Sequence, residues 1–174
     1  GEVNPTSLLP LATPYRVIIC CDLAQITQST AVTDLAEPLD HRFGKLPVWA
    51  KPGKATWDWL SYVKTGDEAR QKQYIDAAHA FGWEYTLIDA NWNQWNNGNA
   101  EPVMKQLVQY AAQRSVGLWL WYNSGGPNNT VTEEPRDLMH ERTMRRREFA
   151  KLQHWGIKGV KIDFWQSDKQ AMVQ

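Results

Sequence analysis

Cysteine is nearly absent: the two that occur, Cys20 and Cys21, are adjacent. Neighbours in sequence close no ordinary disulfide and lack metal-ligand spacing, so both read as strand residues. An excess of either charge is also missing. Lys plus Arg and Asp plus Glu number 19 each, and the pI is near 7.1. That balance leaves no basic field for nucleic acid or an anionic membrane surface. Arg145-Arg146-Arg147 lies in a helical pattern and reads as a solvated face. No run of roughly 18 apolar residues and no signal-peptide pattern occurs. His41, His79, His140 and His154 are scattered, without H-x-H or H-E-x-x-H, so no metal ligands are assigned. No Gly-rich phosphate loop opens a helix, which removes the nucleotide-binding α/β domains.

What is present is a globular composition, 43% hydrophobic and 22% charged, with enough length for a real core. Tryptophan is the outlier, with 10 residues. An indole has a flat apolar face and one N–H donor, which suits cores and also sugars, apolar on one side and polar at the edge. Gly1 to Pro14 holds three prolines and no initiator Met, which gives the start the look of the middle of a longer chain.

Hydrophobic periodicity predicts a strand at Tyr15 to Cys21 and then a polar stretch to Glu37-Pro38. From Pro47 a strand-helix rhythm begins. Strands are expected at Ala55 to Leu60, Glu84 to Asp89, Val116 to Tyr122 and Gly159 to Asp163. Helices are expected at Asp67 to Phe81 (apolar stripe Tyr74, Ala77, Ala78, Phe81), Pro102 to Arg114 (Val103, Leu107, Val108, Ala111) and Leu138 to Trp155 (Phe149, Leu152). Gly82 is the expected C-terminal cap of the first. Alternating units of about 30 to 40 residues argue for βαβ crossovers and a parallel sheet. A (β/α)8 TIM barrel needs roughly 250 residues, so about four βα units make an α/β fold that is half a barrel, preceded by a short β segment. An open four-stranded α/β domain is the alternative.

The stretch W-G-I-K-G-V-K-I-D-F-W, Trp155 to Trp165, is the most informative. Strand alternation puts Lys161 and Asp163 on one face, Val160 and Ile162 on the other. A carboxylate at the C-terminal end of a barrel strand is where catalytic groups sit. The other strand ends offer Trp57, Asp58 and Trp59; Asp89, Asn91, Trp92 and Trp95; Trp121, Tyr122 and Asn123. Carboxylates, amides and indoles around one mouth suit a sugar ring. Glycoside hydrolysis needs an acid and a second carboxylate that attacks the anomeric carbon or activates water. Asp163 is the candidate for direct attack. Lys161 would hold it ionised and donate to a hydroxyl, and Asp89 would accept from sugar hydroxyls. Trp57, Trp92, Trp121 and Asn123 complete the expected substrate-binding set. Lys161 and Asp163 could equally be a structural ion pair. A non-catalytic carbohydrate-binding domain would want the same residue types, but such modules are usually β-sandwiches.

The succession K-P-G-K…W-x-W (Lys51 to Trp59), Y-T-L-I-D-A-N-W (Tyr85 to Trp92), L-W-Y-N-S-G-G (Leu120 to Gly126) and the Trp155 to Trp165 segment resembles glycoside hydrolase family 97. K-I-D-F is its most diagnostic piece. The resemblance covers residues 40 to 174, and residues 1 to 40 resemble the last strands and linker of the family's N-terminal β-sandwich. It implies the first half of the catalytic barrel from residue 41 onward. It also implies retention through a nucleophile at Asp163, with α-galactosidase ahead of α-glucosidase activity, inverting or retaining. It further implies a calcium ion whose ligands lie mostly outside this chain, an acid/base glutamate beyond it, an oligosaccharide substrate, and a periplasmic or secreted bacterial location. A chain without that glutamate is expected to be inactive alone and to self-associate through exposed sheet edges.

Overall fold

The structure, a computed structural model, describes residues 8–10, 15–36 and 47–166. The chain divides into two compact units, Glu2–Lys51 and Pro52–Gln174. The expected boundary near residue 40 falls outside the described residues, as does most of the stretch before Tyr15. None of the described helices is long and apolar enough to cross a membrane.

In the first unit the expected strand is not found. Residues 15–20 pair with nothing among the described residues and are exposed, Ile18 at 89%. An apolar run becomes a strand only when a neighbour takes up its backbone groups, and periodicity alone cannot show that neighbour. Cys20 and Cys21 are free and exposed rather than strand residues. The polar stretch contains α1 (Leu23–Gln28) and α2 (Ala31–Asp34). Asp22 and Gln25 form a reciprocal capping box at the start of α1, at 2.8 and 3.2 Å, satisfying donors the helix leaves open.

The second unit follows the predicted rhythm. β1 (Ala55–Trp57) gives way after Asp58 to a single turn, α3 (Trp59–Tyr62), so Trp59 is helical rather than part of the strand. α4 (Glu68–Phe81) starts under the Asp67 side chain and stops at left-handed Gly82. β2 (Tyr85–Ile88), α5 (Glu101–Ala112), β3 (Gly117–Asn123), α6 (Arg142–Trp155) and β4 (Gly159–Asp163) complete it. The strands lie in the order β1-β2-β3-β4, all parallel, the layout of four successive units of a partial (β/α)8 barrel.

One sheet face meets the helices. Ile88, Leu118, Leu120, Tyr122, Val160 and Ile162 pack with Ile75, Met104, Leu107 and Leu152; fully buried side chains of this size contribute about 1.5–3 kcal/mol each. The α5 stripe is as expected, with Leu107 and Ala111 buried and Val103 and Val108 packed against the core, while those of α4 and α6 are rotated. α4 buries Gln71, Ile75 and Ala78 while Phe81 is 66% exposed. α6 buries Glu148, Leu152 and Trp155, leaving Phe149 39% exposed. A pattern search overlooks Gln71 and Glu148 because both are polar. Gln71 donates to Asp58, and Glu148 accepts from the Tyr122 hydroxyl at 2.6 Å and pairs with Lys151.

The opposite face stacks in layers set by the register. Trp57, Leu87, Trp119 and Gly159 are neighbours across the four strands, followed by Trp121 beside Lys161 and Asn123 beside Asp163. A Cβ on Gly159 would stand 2.8 Å from the Trp119 indole. Glycine there lets the indole lie against the β4 backbone beneath the site.

Candidate active site

β4 is the reason a carboxylate reaches this opening. Val160 and Ile162 face the helix-side core, which turns Lys161 and Asp163 to the other face, as the alternation predicts. Lys161 Nζ lies 2.9 Å from Asp163 Oδ2 and 3.6 Å from Asp89 Oδ2. It also stands 4.2 Å from the centre of the Trp57 ring, an attractive cation–π placement. One ammonium thus serves two carboxylates and an indole face.

Each carboxylate is fixed at both oxygens. Asp163 Oδ2 accepts from the Trp121 indole N–H at 3.1 Å, and Oδ1 from the backbone N–H of Phe164 at 2.8 Å. Asp89 Oδ2 accepts from the Trp57 indole at 2.7 Å, and Oδ1 from the backbone N–H of Ala90 at 2.8 Å. Partial burial pushes the Asp163 carboxyl up. Lys161, the Trp121 indole and the Phe164 N–H outweigh it and hold the group below the usual carboxylate range. An ionised, oriented carboxylate with lone pairs to spare can attack carbon or accept hydroxyls. Asp89 accepts from the Trp57 indole and the Ala90 N–H beside the Lys161 ammonium.

These side chains line a cavity of about 290 Å³ together with Trp59, Ala90, Trp121, Glu133 and Phe164. Trp57 and Trp59 stack at 5.6 Å with 18° between planes. Trp121 is 1% exposed and meets Phe164 edge-on at 5.8 Å, making floor and wall. Of the seven expected site residues, the structure brings Asp163, Lys161, Asp89, Trp57 and Trp121 together.

The other two sit elsewhere. Trp92 belongs to the helix-side core, edge-on to Tyr122 and Trp155, its indole donating to the Trp121 carbonyl at 2.9 Å. It follows β2 by four residues, where a tight turn has already carried the chain off the inner face. Asn123 is on the expected face but is wholly buried, its amide spent on the loop that follows β3. Tyr122 points to the helices, and Asp58 is buried holding Gly66 N–H and Gln71. Its own burial raises the Asp58 carboxyl above the usual range, despite those hydrogen bonds.

Glu133 and Phe164 were not expected. Phe164 follows Asp163 directly and was legible as an aromatic neighbour. Glu133 lies ten residues beyond β3, in a loop whose path no periodicity describes.

The cavity does not fit calcium. That ion takes six to eight oxygens, and the Lys161 ammonium already occupies the space between the two aspartates. Among the described residues no three His, Cys, Asp or Glu side chains converge on a cation position.

Residues 49–174 match the family described as Glycoside hydrolase 97. The chain is 36% identical over 174 residues to the "Probable retaining alpha-galactosidase" of Streptomyces bingchenggensis (strain BCW-1), covering 94% of this chain and 25% of that protein. It is 32% identical over 140 residues to the "Retaining alpha-galactosidase" of Bacteroides thetaiotaomicron, covering 72% of this chain and 19% of that protein. A solved structure titled "Crystal structure of beta-arabinopyranosidase" superimposes with a TM-score of 0.61 at 38% identity, over 69% of this chain and 19% of that one. The chain therefore spans a quarter or less of the length of each.

Proposed function

The chain belongs to the Glycoside hydrolase 97 family, and from that premise we propose that its protein hydrolyses terminal α-linked galactose with retention, through a covalent intermediate on Asp163. The observation that carries this reading is the Asp163 carboxylate, held ionised at the end of β4 by Lys161 and Trp121 on the wall of a sugar-sized cavity. The names of the two sequence relatives support both the sugar and the stereochemistry.

In the first step Asp163 Oδ attacks the anomeric carbon from the face opposite the aglycone. The carbon–oxygen bond to the aglycone breaks, and its oxygen takes a proton from the general acid. Water, deprotonated by the same group, then displaces the carboxylate and restores the α configuration. Two inversions give retention. We place that acid, with the calcium ligands, outside residues 47–166, as the family resemblance implies. Lys161 and Asp89 grip hydroxyls, and Trp57 and Trp121 supply apolar surface.

The full-length protein acting on an α-galactoside should release α-galactose first, followed by proton NMR before the anomers equilibrate. β-Galactose appearing first would contradict direct attack by Asp163. The likeness to a beta-arabinopyranosidase favours one second reading, a pentopyranoside substrate. Parallel assays on galacto-, gluco- and arabino-configured pyranosides rank the sugars.

We further propose that these 174 residues alone are inactive and self-associate. Among the described residues β1 pairs only with β2, and β4 only with β3, leaving backbone donors and acceptors open on both edges. Size-exclusion chromatography with light scattering at low micromolar concentration should show a dimer or larger species; a stable monomer contradicts this.

A further inference from the structure

We infer that Glu133 is a third sugar-contacting carboxylate of the cavity, accepting a hydrogen bond from a ring hydroxyl and setting which pyranoside is accepted. This rests on the hydrolase reading above. Glu133 lines the same cavity as Asp163, Lys161 and Asp89. Its carboxylate has no hydrogen-bond donor or cation partner among the described residues, whereas both oxygens of Asp89 and Asp163 are engaged. A carboxylate in a pocket with its acceptor sites unclaimed by protein is suited to a polyol.

A loop glutamate with a mobile backbone would be an ordinary solvated charge. Here the backbone is tied on both sides of the residue. The Asn123 amide donates to the carbonyls of Val131 and Glu133, each at 3.1 Å, and its backbone N–H to the Pro135 carbonyl at 2.9 Å. Asn91 exchanges two bonds with Glu134: backbone N–H to carbonyl at 2.6 Å, and Glu134 N–H to the Asn91 amide oxygen at 3.1 Å. Asn129 joins the loop to β3 through Asn123 and to the end of β4 through the Phe164 carbonyl. Gly125, with φ +68°, has the Asp137 backbone nitrogen 2.5 Å from where a Cβ would be, so only glycine lets the loop close this way. Buried Asn123 and Asn129, with the exposed Asn91 after β2, therefore hold the backbone at Glu133 in place before substrate arrives, a condition that helps one hydrogen bond discriminate between sugars.

Charge defines the ligand class. Three carboxylate residues, Asp89, Glu133 and Asp163, line the cavity with one lysine, Lys161. That excess favours neutral sugars rich in hydroxyl donors over uronides or phosphorylated sugars.

The test uses the full-length protein with Glu133→Gln and Glu133→Ala, on whichever galacto-, gluco- or arabino-configured pyranoside the wild type turns over fastest. Both variants should lose kcat/KM on the order of 10- to 100-fold, the scale of a hydrogen bond to a charged group. One monodeoxy analogue should be penalised in the wild type and not further in Glu133→Ala, identifying the hydroxyl. Variants within twofold of wild type, with an unchanged deoxy profile, overturn the inference while leaving the hydrolase reading intact. A loss that grows as the leaving group becomes more basic also overturns it, since Glu133 would then be the proton donor. A wild type that turns over none of the three overturns both.

Discussion

Asp163→Ala should abolish turnover of α-galactosides by the full-length protein, lowering kcat/KM on the order of 10⁴-fold or more, the scale of losing a covalent nucleophile. The fold should survive. The side chain is about a third exposed and Lys161 keeps Asp89 as a partner, so circular dichroism and the melting temperature should change little. On the proposed mechanism, what disappears is the oxygen that attacks the anomeric carbon. Sodium azide should restore activity toward an activated substrate, because a small anion fits the space the carboxylate vacates. Attack from that same face gives β-galactosyl azide as product. Rescue yielding the α-azide, or activity near wild type in the variant, would contradict a nucleophilic role.

Lys161→Met should be the second most damaging change, on the order of 10²- to 10³-fold in kcat/KM, comparable with removing a preorganised electrostatic donor. Methionine keeps the apolar stem against Trp57 and removes the charge alone. Two aspartates then share a site without the ammonium that reaches both. The pH profile separates this from a packing defect. In the wild type Lys161 opposes the effect of burial and helps depress the Asp163 carboxyl. A depressed acid is ionised above its folded pKa, so the acid limb of kcat/KM should fall below the ordinary carboxylate range. Removing the cation should move that limb toward higher pH. The stability conferred by ionised Asp163 is likewise present above its unfolded pKa and lost as pH falls through the lower folded one, and the variant should show less of it. A loss of activity with the acid limb unmoved would assign Lys161 to substrate binding alone.

Much of this site was legible because strand alternation is a strict rule. Once Val160 and Ile162 are assigned to the helix side, Lys161 and Asp163 have one direction left, and Trp57, Asp89 and Trp121 follow from the shared register. Loss of legibility begins where the chain leaves the ladder. Trp92 reads as a strand-end aromatic, but four residues past β2 the turn had already rotated it into the core. Asn123 reads as a sugar ligand from its place at the end of β3, but its buried amide holds a loop. Glu133 had no sequence signal, since its position depends on hydrogen bonds from residues ten and forty-two places away. The stripes of α4 and α6 shifted for another reason: Gln71 and Glu148 are buried with specific partners, and a hydrophobic pattern cannot anticipate a polar side chain at a core position. At Tyr15 to Cys21 the apolar run was real, but a strand also needs a neighbour.

The most direct measurement is covalent trapping. The full-length protein is treated with a 2-deoxy-2-fluoro-α-galactosyl reagent, whose fluorine slows release of the glycosyl-enzyme, then digested and mapped by mass spectrometry. A half-barrel that presents an ionised Asp163 to the sugar should leave one fluorogalactosyl group on the peptide spanning Gly159–Asp163, on Asp163 itself, and none in Asp163→Asn. A label on a different carboxylate, or full activity in Asp163→Asn with no label on that peptide, would contradict it.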